Sequence, residues 1–136
     1  MAEPIVYTAP VRYFEVDQQG VVFNMWYLGY LDEAFGAFVT RNGITWEQVF
    51  DTGVDVQLVH TELDWSGSLR WGDEVSVRVE LDSFGRTSFT MRFIVSNGAA
   101  GAPVLTATTV YVCVATDGSG SREPTPLLRE ALSVTG

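Results

Sequence analysis

The chain has 136 residues, of which 46% are hydrophobic, and carries a formal net charge of −9 at pH 7. A chain of this length is expected to form one domain, residues 1–136, with a modest apolar core. The negative charge argues against a nucleic-acid-binding protein, because contact with phosphate requires a basic surface.

The basic residues and the single cysteine indicate how an anionic ligand would be bound and in which compartment the protein works. All eight basic residues are arginines, so an anionic ligand would be bound by individual guanidinium groups rather than by a global positive field. The single cysteine, Cys113, excludes an intrachain disulfide framework and is typical of a reducing compartment. The first residues lack the pattern of a signal peptide, and no segment is apolar enough to span a bilayer. We therefore expect a cytoplasmic protein with no membrane partner.

The first part of the chain leads into a turn that carries a carboxylate. Residues 5–14 are interpreted as an irregular strand, and Pro4 and Pro10 indicate that it starts late or lies at a sheet edge. Asp17 to Asn24 (Asp-Gln-Gln-Gly-Val-Val-Phe-Asn) then forms a glycine-containing turn before an apolar helix. Unpaired helix N–H groups and the macrodipole stabilise negative charge, so an adjacent carboxylate indicates an acyl-transfer site. Asp-x-x-Gly turns before helices are also common purely structural elements.

The helix is predicted from Asn24 to about Asn42, with Asn24 as N-cap and Gly43 as the C′ residue. An apolar stripe at helical spacing comprises Leu28, Leu31, Phe35, Phe38 and Val39. Only a narrow polar strip interrupts the rest of the surface. A helix that is apolar nearly all round is expected to be buried, here by a sheet that wraps around it.

The remainder of the chain is predicted to be mostly strands. One helical turn is expected at residues 46–50, and strands at 54–65, 75–81, 89–95 and 104–116. Turns are expected at 66–68, 83–86 and 97–101, and the tail from residue 124 to 132 ends in a short helix. One buried helix followed by four antiparallel strands predicts an α+β fold, with an antiparallel sheet around one long central helix.

A signature of known enzymes lies between Arg12 and Tyr27. It reads Arg-Tyr-Phe-Glu-Val-Asp-Gln-Gln-Gly-Val-Val-Phe-Asn-x-x-Tyr and resembles that of the hotdog-fold acyl-CoA thioesterases. Within them it is most similar to the 4-hydroxybenzoyl-CoA thioesterase family of the aspartate-dependent type. Residues 63–73 resemble the second-strand motif of the family, and weaker similarities occur at 85–88 and 124–126. The resemblance covers about residues 11–132.

The chain departs from this family at two positions. Many relatives have histidine or tyrosine where this chain has Asn24, and threonine or cysteine where it has Val16. Asn24 removes a side chain that could assist acid–base chemistry, although its backbone N–H is unaffected. The identity of the acyl group therefore stays open.

The resemblance implies hydrolysis of an acyl- or aroyl-CoA thioester to the free acid and CoA. Asp17 would be the general base or the nucleophile, and the helix N-terminus at Asn24 the oxyanion site. A thiol of pKa ~8.5 leaves as a thiolate without a general acid, so these few groups can suffice without metal or cofactor. The implied substrate-binding residues are Tyr13, Gly20, Val22, Tyr27, Trp65, Arg70 and Arg86. Arg70 and Arg86 are the candidates for the CoA phosphates.

Rival catalytic groups are few. The chain has one histidine, His60, and a single histidine excludes a His-rich metal site. The sequence also lacks the nucleotide-binding and serine-hydrolase motifs. Cys113 has no histidine nearby in sequence and is interpreted as a core thiol. Glu33 is the main competitor, because a second branch of hotdog thioesterases carries its carboxylate on the central helix. Glu33 lies nine residues beyond Asn24, which is about 13 Å along the helix axis. Within one protomer it therefore cannot act at the same helix N-terminus as Asp17.

Other functions and an assembly state are also compatible with the sequence. The hotdog scaffold supports dehydratases, hydratases and non-catalytic acyl-CoA or acyl-carrier binding proteins. A hydratase is disfavoured because no histidine lies near the helix. The substrate is expected to be a small-molecule acyl-CoA, or alternatively the thioester of an acyl carrier protein. An uncovered sheet edge and the family resemblance together predict a homo-oligomer, a dimer or a tetramer, with sites at the interface.

Overall fold

The computed structural model of the protein describes residues 4–134. Within this range the chain forms five strands, three α-helices and one short 3₁₀ turn over residues 13–15. In chain order the elements are β1 (Ile5–Pro10), α1 (Asn24–Arg41), α2 (Trp46–Asp51), β2 (Val54–Trp65), β3 (Glu74–Phe84), β4 (Ser88–Asn97), β5 (Pro103–Ala115) and α3 (Pro126–Leu132). No helix within the described range is long and apolar enough to cross a membrane.

The strands form one antiparallel sheet in the order β1-β3-β4-β5-β2. The two edges are therefore β1 and β2, which are far apart in sequence and in the sheet. The longest ladder joins β2 to β5, from the pair Val54–Ala115 at one end to Trp65–Leu105 at the other. Its register shifts between Leu58 and His60. The predicted α+β architecture with a long central helix is confirmed.

Alternation along the central strands supplies one wall of the core. Every second side chain of β3, β4 and β5 is buried, for example Val75, Val77 and Val79. The aromatic residue Phe35 of α1 stacks on Tyr111 of β5, with ring centroids 4.3 Å apart. The buried residues of α1 are Tyr27, Tyr30, Leu31, Ala34, Phe35, Phe38 and Val39. They line one side of the helix. The other side, including Leu28 of the predicted apolar stripe, is exposed in one protomer, so the predicted burial of the helix nearly all round is wrong for the single chain.

The structure corrects several predicted boundaries, including the following three. β1 ends at Pro10 instead of residue 14, because the next residues curl into the 3₁₀ turn. The N-cap of α1 is Phe23 rather than Asn24, which is the first helical residue, and no side chain caps this end. β3 continues through Phe84, so the following turn is shorter than predicted. Each correction moves a boundary and leaves the order of elements unchanged.

Other local predictions are confirmed. α1 ends at Arg41 with Asn42 as its C-cap, and Gly43 follows with a φ of 94°, as expected of a C′ glycine. The short helix α2 is capped by the Thr45 hydroxyl, which accepts a 3.1 Å hydrogen bond from the Gln48 amide. The tail ends in α3, which packs near the end of α1, where the Asn42 side chain donates a 2.7 Å hydrogen bond to the Ala131 carbonyl.

The two ends of the sheet have different neighbours. The start of β3 and the end of β2 lie at one end, together with the turn that carries Asp17 and the start of α1. The turn between β3 and β4 lies at the other, where the Cys113 amide of β5 donates a 2.8 Å hydrogen bond to Thr87. Functional residues at opposite ends are therefore separated by about 30 Å, the length of a ten-residue strand.

Candidate active site

The Asp17 turn is a tight hairpin closed by its own main chain. The Asp17 amide donates a 2.8 Å hydrogen bond to Val21, and the Gly20 amide donates one of 2.9 Å back to the Asp17 carbonyl. Gly20 has a φ of 80°, a conformation that favours glycine. The Gln19 amide donates a 2.8 Å hydrogen bond to Oδ1 of Asp17, which restricts the rotation of the carboxylate. This oxygen is held by the turn, so the other, Oδ2, is the better placed of the two to react.

The hairpin is docked onto the segment between β2 and β3. The Val22 amide donates a 2.8 Å hydrogen bond to the Leu69 carbonyl, and Val21 forms an isolated bridge with Arg70. The Leu69 amide in turn donates a 3.0 Å hydrogen bond to the hydroxyl of Tyr27 in the first turn of α1. Hairpin, connecting segment and helix are thus linked in one hydrogen-bonded unit.

The start of α1 follows directly from the hairpin. Phe23 is the N-cap, its amide donates a 2.9 Å hydrogen bond to the Glu15 carbonyl, and no acidic residue occupies the first helical turn. The amides of Asn24 and Met25 have no acceptor within the helix, and both residues are exposed. The partial positive charge of this helix end is therefore neutralised neither by a side-chain cap nor by an acidic residue of the helix's own first turn.

A cleft of about 760 Å³ opens beside the Asp17 turn. Its lining residues are Tyr13, Phe14, Val16, Asp17, Gln18, Gly20, Arg70 and Trp71. Tyr13 is 73% exposed and Trp71 63%, and their rings meet edge to face with centroids 5.3 Å apart. Such exposed aromatic rings offer flat apolar faces to a ligand. The structure thus brings together four of the predicted site residues, namely Tyr13, Asp17, Gly20 and Arg70, whereas Asn24 does not line this cleft.

Arg70 is the cationic group of this cleft. Its Nη1 atom lies 3.9 Å from the position that a β-carbon on residue 20 would occupy, so the guanidinium covers the turn next to Asp17. Its main-chain N–H donates a 2.8 Å hydrogen bond to Asp73, whereas its side chain has no ion pair within residues 4–134. The guanidinium is therefore available to an anionic or polar ligand group.

Three further predicted residues lie behind the start of α1 and do not line the cleft. Val22 and Tyr27 are 2% and 1% exposed, and Trp65 contacts Tyr27 edge to face with centroids 5.9 Å apart. Burial raises the pKa of Tyr27 above its ordinary value, against the smaller opposing effect of its hydrogen bond with the Leu69 amide. Within one protomer these side chains support the site from behind. Only Trp65, which is 44% exposed, has a substantial free surface.

Arg86 is remote from Asp17 in the same protomer. It lies in the turn between β3 and β4, at the opposite end of the sheet. An interaction of Arg86 with a ligand at Asp17 therefore requires a second protomer.

The competing groups lie elsewhere. Glu33 is exposed on α1 and lines a separate cleft of about 820 Å³, together with Asp32 and Asp55. That cleft is the larger of the two, and the start of the short helix α2 at Trp46, which lines it, is already capped by the Thr45 side chain. His60 is exposed on the edge strand β2, 3.3 Å from Glu62. Cys113 is fully buried, and burial raises the pKa of its thiol to about 11.

The sequence interpretation missed the role of a buried carboxylate, Glu15. The residue is 2% exposed, and its side chain accepts a 3.0 Å hydrogen bond from the Tyr30 hydroxyl. The available signal was a charged residue between two apolar ones, directly before the hairpin. Trp71, which forms a wall of the cleft, was also not among the predicted site residues. Within the described chain, no cluster of three metal-binding side chains occurs.

The chain is similar to one protein family, to a named hydrolase and to proteins of known structure. The chain matches the model of the Thioesterase-like superfamily over residues 11–133. It is 29% identical over 130 residues to a 1,4-dihydroxy-2-naphthoyl-CoA hydrolase of Synechococcus elongatus, and the alignment covers 92% of each protein. A hypothetical protein from Aquifex aeolicus of known structure has a TM-score of 0.86 and 26% identity, over 96% of this chain and 100% of the other. A 1,4-dihydroxy-2-naphthoyl-CoA thioesterase from Synechocystis has a TM-score of 0.83 and 19% identity, over 94% of each chain.

Proposed function

The chain belongs to the thioesterase-like superfamily and has the hotdog fold, and from this we infer that it is a thioester hydrolase acting on an acyl- or aroyl-CoA. More specifically, it acts as an aspartate-dependent enzyme of the 4-hydroxybenzoyl-CoA thioesterase type. The observation that carries this assignment is Asp17, a carboxylate with one constrained oxygen at an open cleft, on the hairpin that leads into α1.

Asp17 either activates the attacking water molecule or attacks the thioester itself. As a general base, its free carboxylate oxygen accepts a proton from a water molecule that attacks the thioester carbon. As a nucleophile, the same oxygen attacks directly and forms a mixed anhydride, which water then hydrolyses. In both routes the carbon–sulfur bond breaks and CoA leaves as a thiolate.

The oxyanion is stabilised by the first amides of α1. Attack on the thioester places negative charge on the carbonyl oxygen, and the unpaired N–H groups at Asn24 and Met25 offer donors to it. The first turn of α1 contains no acidic residue that would repel this charge. The oxyanion site therefore depends on main-chain groups, and the side chain of Asn24 is dispensable for it.

The cleft favours a planar acyl group. Tyr13 and Trp71 present exposed rings at its wall, and flat aromatic surfaces stack well on conjugated rings. The relative from Synechococcus elongatus is named for a naphthoyl-CoA substrate. Aroyl-CoA thioesters are therefore the first substrates to test, with Arg70 and Arg86 as the proposed contacts of the CoA phosphates.

The active form is a homodimer or a higher homo-oligomer built on it. The edge strand β2 exposes Leu58 and Val59, with 53% and 56% of their surfaces accessible. Pairing of this edge with a second copy satisfies its unpaired main-chain groups and removes part of this exposed apolar surface from water. Association of two protomers also allows Arg86, which is remote from Asp17 in its own protomer, to contribute to the site of the other protomer.

The test is release of free CoA thiol from a panel of thioesters. The panel contains benzoyl-, 4-hydroxybenzoyl- and hydroxynaphthoyl-CoA, with hexanoyl- and palmitoyl-CoA as aliphatic comparisons and one acyl-carrier thioester. We expect turnover with the aroyl-CoA substrates. Binding of these thioesters without thiol release would instead identify a non-catalytic acyl-CoA binding protein and reject the proposal.

A further inference from the structure

Glu15 is a buried carboxylate that the hydrolytic mechanism does not use. Its side chain is 3% exposed, and Oε1 accepts a 2.8 Å hydrogen bond from the Arg12 amide and a 3.0 Å hydrogen bond from the Tyr30 hydroxyl. The guanidinium of Arg12 lies 3.4 Å from Oε2. Two donors thus converge on one oxygen, and an ion pair faces the other.

Such burial is not explained by stability alone. Removing a carboxylate from water is costly, and well-packed apolar residues are often as stabilising as a buried ionic group. What the carboxylate adds is direction, because its two oxygens accept hydrogen bonds only along defined lines. The bonds of Glu15 link the residues before the hairpin to Tyr30, in the second turn of α1.

The main chain of Glu15 reinforces this link. Its carbonyl accepts a 2.9 Å hydrogen bond from the amide of Phe23, the N-cap of α1. Asp17 follows only two residues later, after Val16, which is itself bridged to Val22. Glu15 therefore contacts the start of α1 through its carbonyl and the body of α1 through its side chain.

We propose that Glu15 is a positioning residue that, together with Tyr30, holds the Asp17 carboxylate at a fixed place relative to the N-terminus of α1. This role rests on the proposed function, because it presumes that Asp17 and the helix amides act on the same thioester. Catalysis requires the attacking group to meet the thioester carbon while the oxyanion donors contact its oxygen, each within about 0.5 Å of the productive geometry. The Glu15–Tyr30 pair couples the two elements that carry these groups.

Tyr30 is suited to the donor role. Burial, followed by the hydrogen bond to Glu15, raises the pKa of its hydroxyl above the ordinary value. The phenol therefore remains protonated over the range in which thioesterases are assayed, and the bond to Glu15 persists. Tyr30 is 3% exposed, so the pair is shielded from competition by bulk water.

Four variants separate geometry from charge, namely Glu15→Gln, Glu15→Leu, Tyr30→Phe and the double variant Glu15→Leu/Tyr30→Phe. Gln keeps an acceptor oxygen at the Oε1 position, so kcat should stay close to the parental value. Leu removes the acceptor, and kcat should fall about 10- to 100-fold with little change in KM. Tyr30→Phe should also lower kcat, but should add nothing in the Glu15→Leu background, because both changes break one unit.

A readout independent of activity accompanies the kinetics. Amide hydrogen exchange of residues 15–26 should accelerate in Glu15→Leu and Tyr30→Phe, while exchange in β4 stays unchanged. Melting temperatures ensure that kcat is compared among folded proteins. A purely structural role would lower the melting temperature and leave kcat of the folded variants at the parental value, which would overturn the proposal.

Two other results would also overturn it. Equal loss of kcat in Glu15→Gln and Glu15→Leu would mean that the charge of Glu15 acts directly. A rise in KM with unchanged kcat would mean that the residue contributes to substrate binding. Asp17→Asn is measured in parallel, so that failure of the two proposals is distinguishable. If Asp17→Asn is inactive while Glu15→Leu is fully active, only the positioning role fails.

Discussion

The hydroxyl of Tyr27 accepts a 3.0 Å hydrogen bond from the main-chain N–H of Leu69. Leu69 also accepts a 2.8 Å hydrogen bond, through its carbonyl, from the amide of Val22 in the Asp17 hairpin. One residue of the β2–β3 connection therefore contacts both the helix and the hairpin. Together with the Glu15–Tyr30 bond on the other side, it holds the Asp17 turn in place from two directions.

The Asp17 carboxylate is expected to be essential for turnover. Asp17→Asn keeps the volume and a hydrogen-bond acceptor for the Gln19 amide, but removes basicity and nucleophilicity. We predict that kcat falls by about 10²–10⁴, the contribution expected of a general base. Binding of a non-hydrolysable acyl-CoA analogue, measured by calorimetry, should be retained.

Glu33→Gln is the matched control for this prediction. Glu33 is exposed on α1 and lines a different cleft, so its replacement should have a far smaller effect on kcat. An active Asp17→Asn enzyme beside an inactive Glu33→Gln enzyme would assign the chemistry to the helix carboxylate.

The backbone of the turn is expected to matter as much as its side chain. Gly20 has a φ of 80°, and Gly53, in the turn before β2, has a φ of 84°. Alanine at either position is strained in this region and should lower the free energy of unfolding by about 1 kcal/mol. Only Gly20→Ala should also lower kcat, because it distorts the turn that holds Asp17. Chemical denaturation and steady-state kinetics test both effects, and equal kcat values for the two variants would contradict the prediction.

Patterns that are local in sequence predicted most of the fold. The alternation around Val75, Val77 and Val79 indicates a strand on its own, and Gly43 marks the end of the helix without reference to distant residues. The start of α1 was placed one residue late, because asparagine is a favoured N-cap and Phe23 is not. Here the amide of Phe23 is held by the Glu15 carbonyl instead, a contact that a search for capping residues does not detect.

The site is harder to predict from local sequence patterns, because it depends on contacts between segments that are distant in sequence. The burial of Glu15 depends on Tyr30, fifteen residues away. Tyr27 lies in the signature beside cleft residues, yet its hydroxyl is used by Leu69 in another segment. Arg86 was grouped with Arg70 by similarity to the family, but strand order places the two at opposite ends of the sheet.

The two candidate arginines should affect substrate affinity differently. Arg70→Ala removes the guanidinium beside the Asp17 turn and should raise KM more than it lowers kcat. A similar rise for all acyl-CoA substrates, weakened by salt, would indicate contact with the CoA phosphates. A rise confined to acyl groups with polar substituents would place Arg70 against the acyl group and contradict its assignment to the phosphates.

Arg86→Ala should raise KM only if a second protomer supplies this residue to the site. Arg122 is the control, because its side chain donates a hydrogen bond to the Ser119 hydroxyl in the loop after β5. Arg122→Ala should leave KM unchanged. A parental KM in Arg86→Ala at low and moderate salt would remove this residue from the CoA site.

The β2 edge is expected to form the dimer interface. Light scattering at micromolar concentration should give at least twice the chain mass of 15.0 kDa. Leu58→Glu places a charge at the proposed interface, at a residue that is 53% exposed in one protomer, and should yield inactive monomers. Thr8→Glu, on the other edge strand, should remain oligomeric and active. A monomeric, fully active parent protein would contradict the prediction.

Stability is expected to decline at alkaline pH. Burial is the largest cause that raises the pKa values of Tyr27, Tyr30 and Tyr111, and it raises that of the Cys113 thiol to about 11. In the unfolded chain a thiol titrates near ~8.5 and a phenol near ~10. From about pH 8.5 upward the unfolded state therefore binds fewer protons than the native state, and the free energy of unfolding falls as pH rises.

Melting temperatures measured between about pH 8 and pH 11 test this expectation, with phenolate absorbance as a parallel signal. Two of the five tyrosines, Tyr30 and Tyr111, should ionise only as the protein unfolds. Tyr30→Phe removes one of these groups, so its melting temperature should depend less steeply on pH above about pH 10. At neutral pH the same variant should be less stable, because it loses the hydrogen bond to Glu15. A melting temperature that does not change over this range would show that the buried hydroxyls ionise without unfolding.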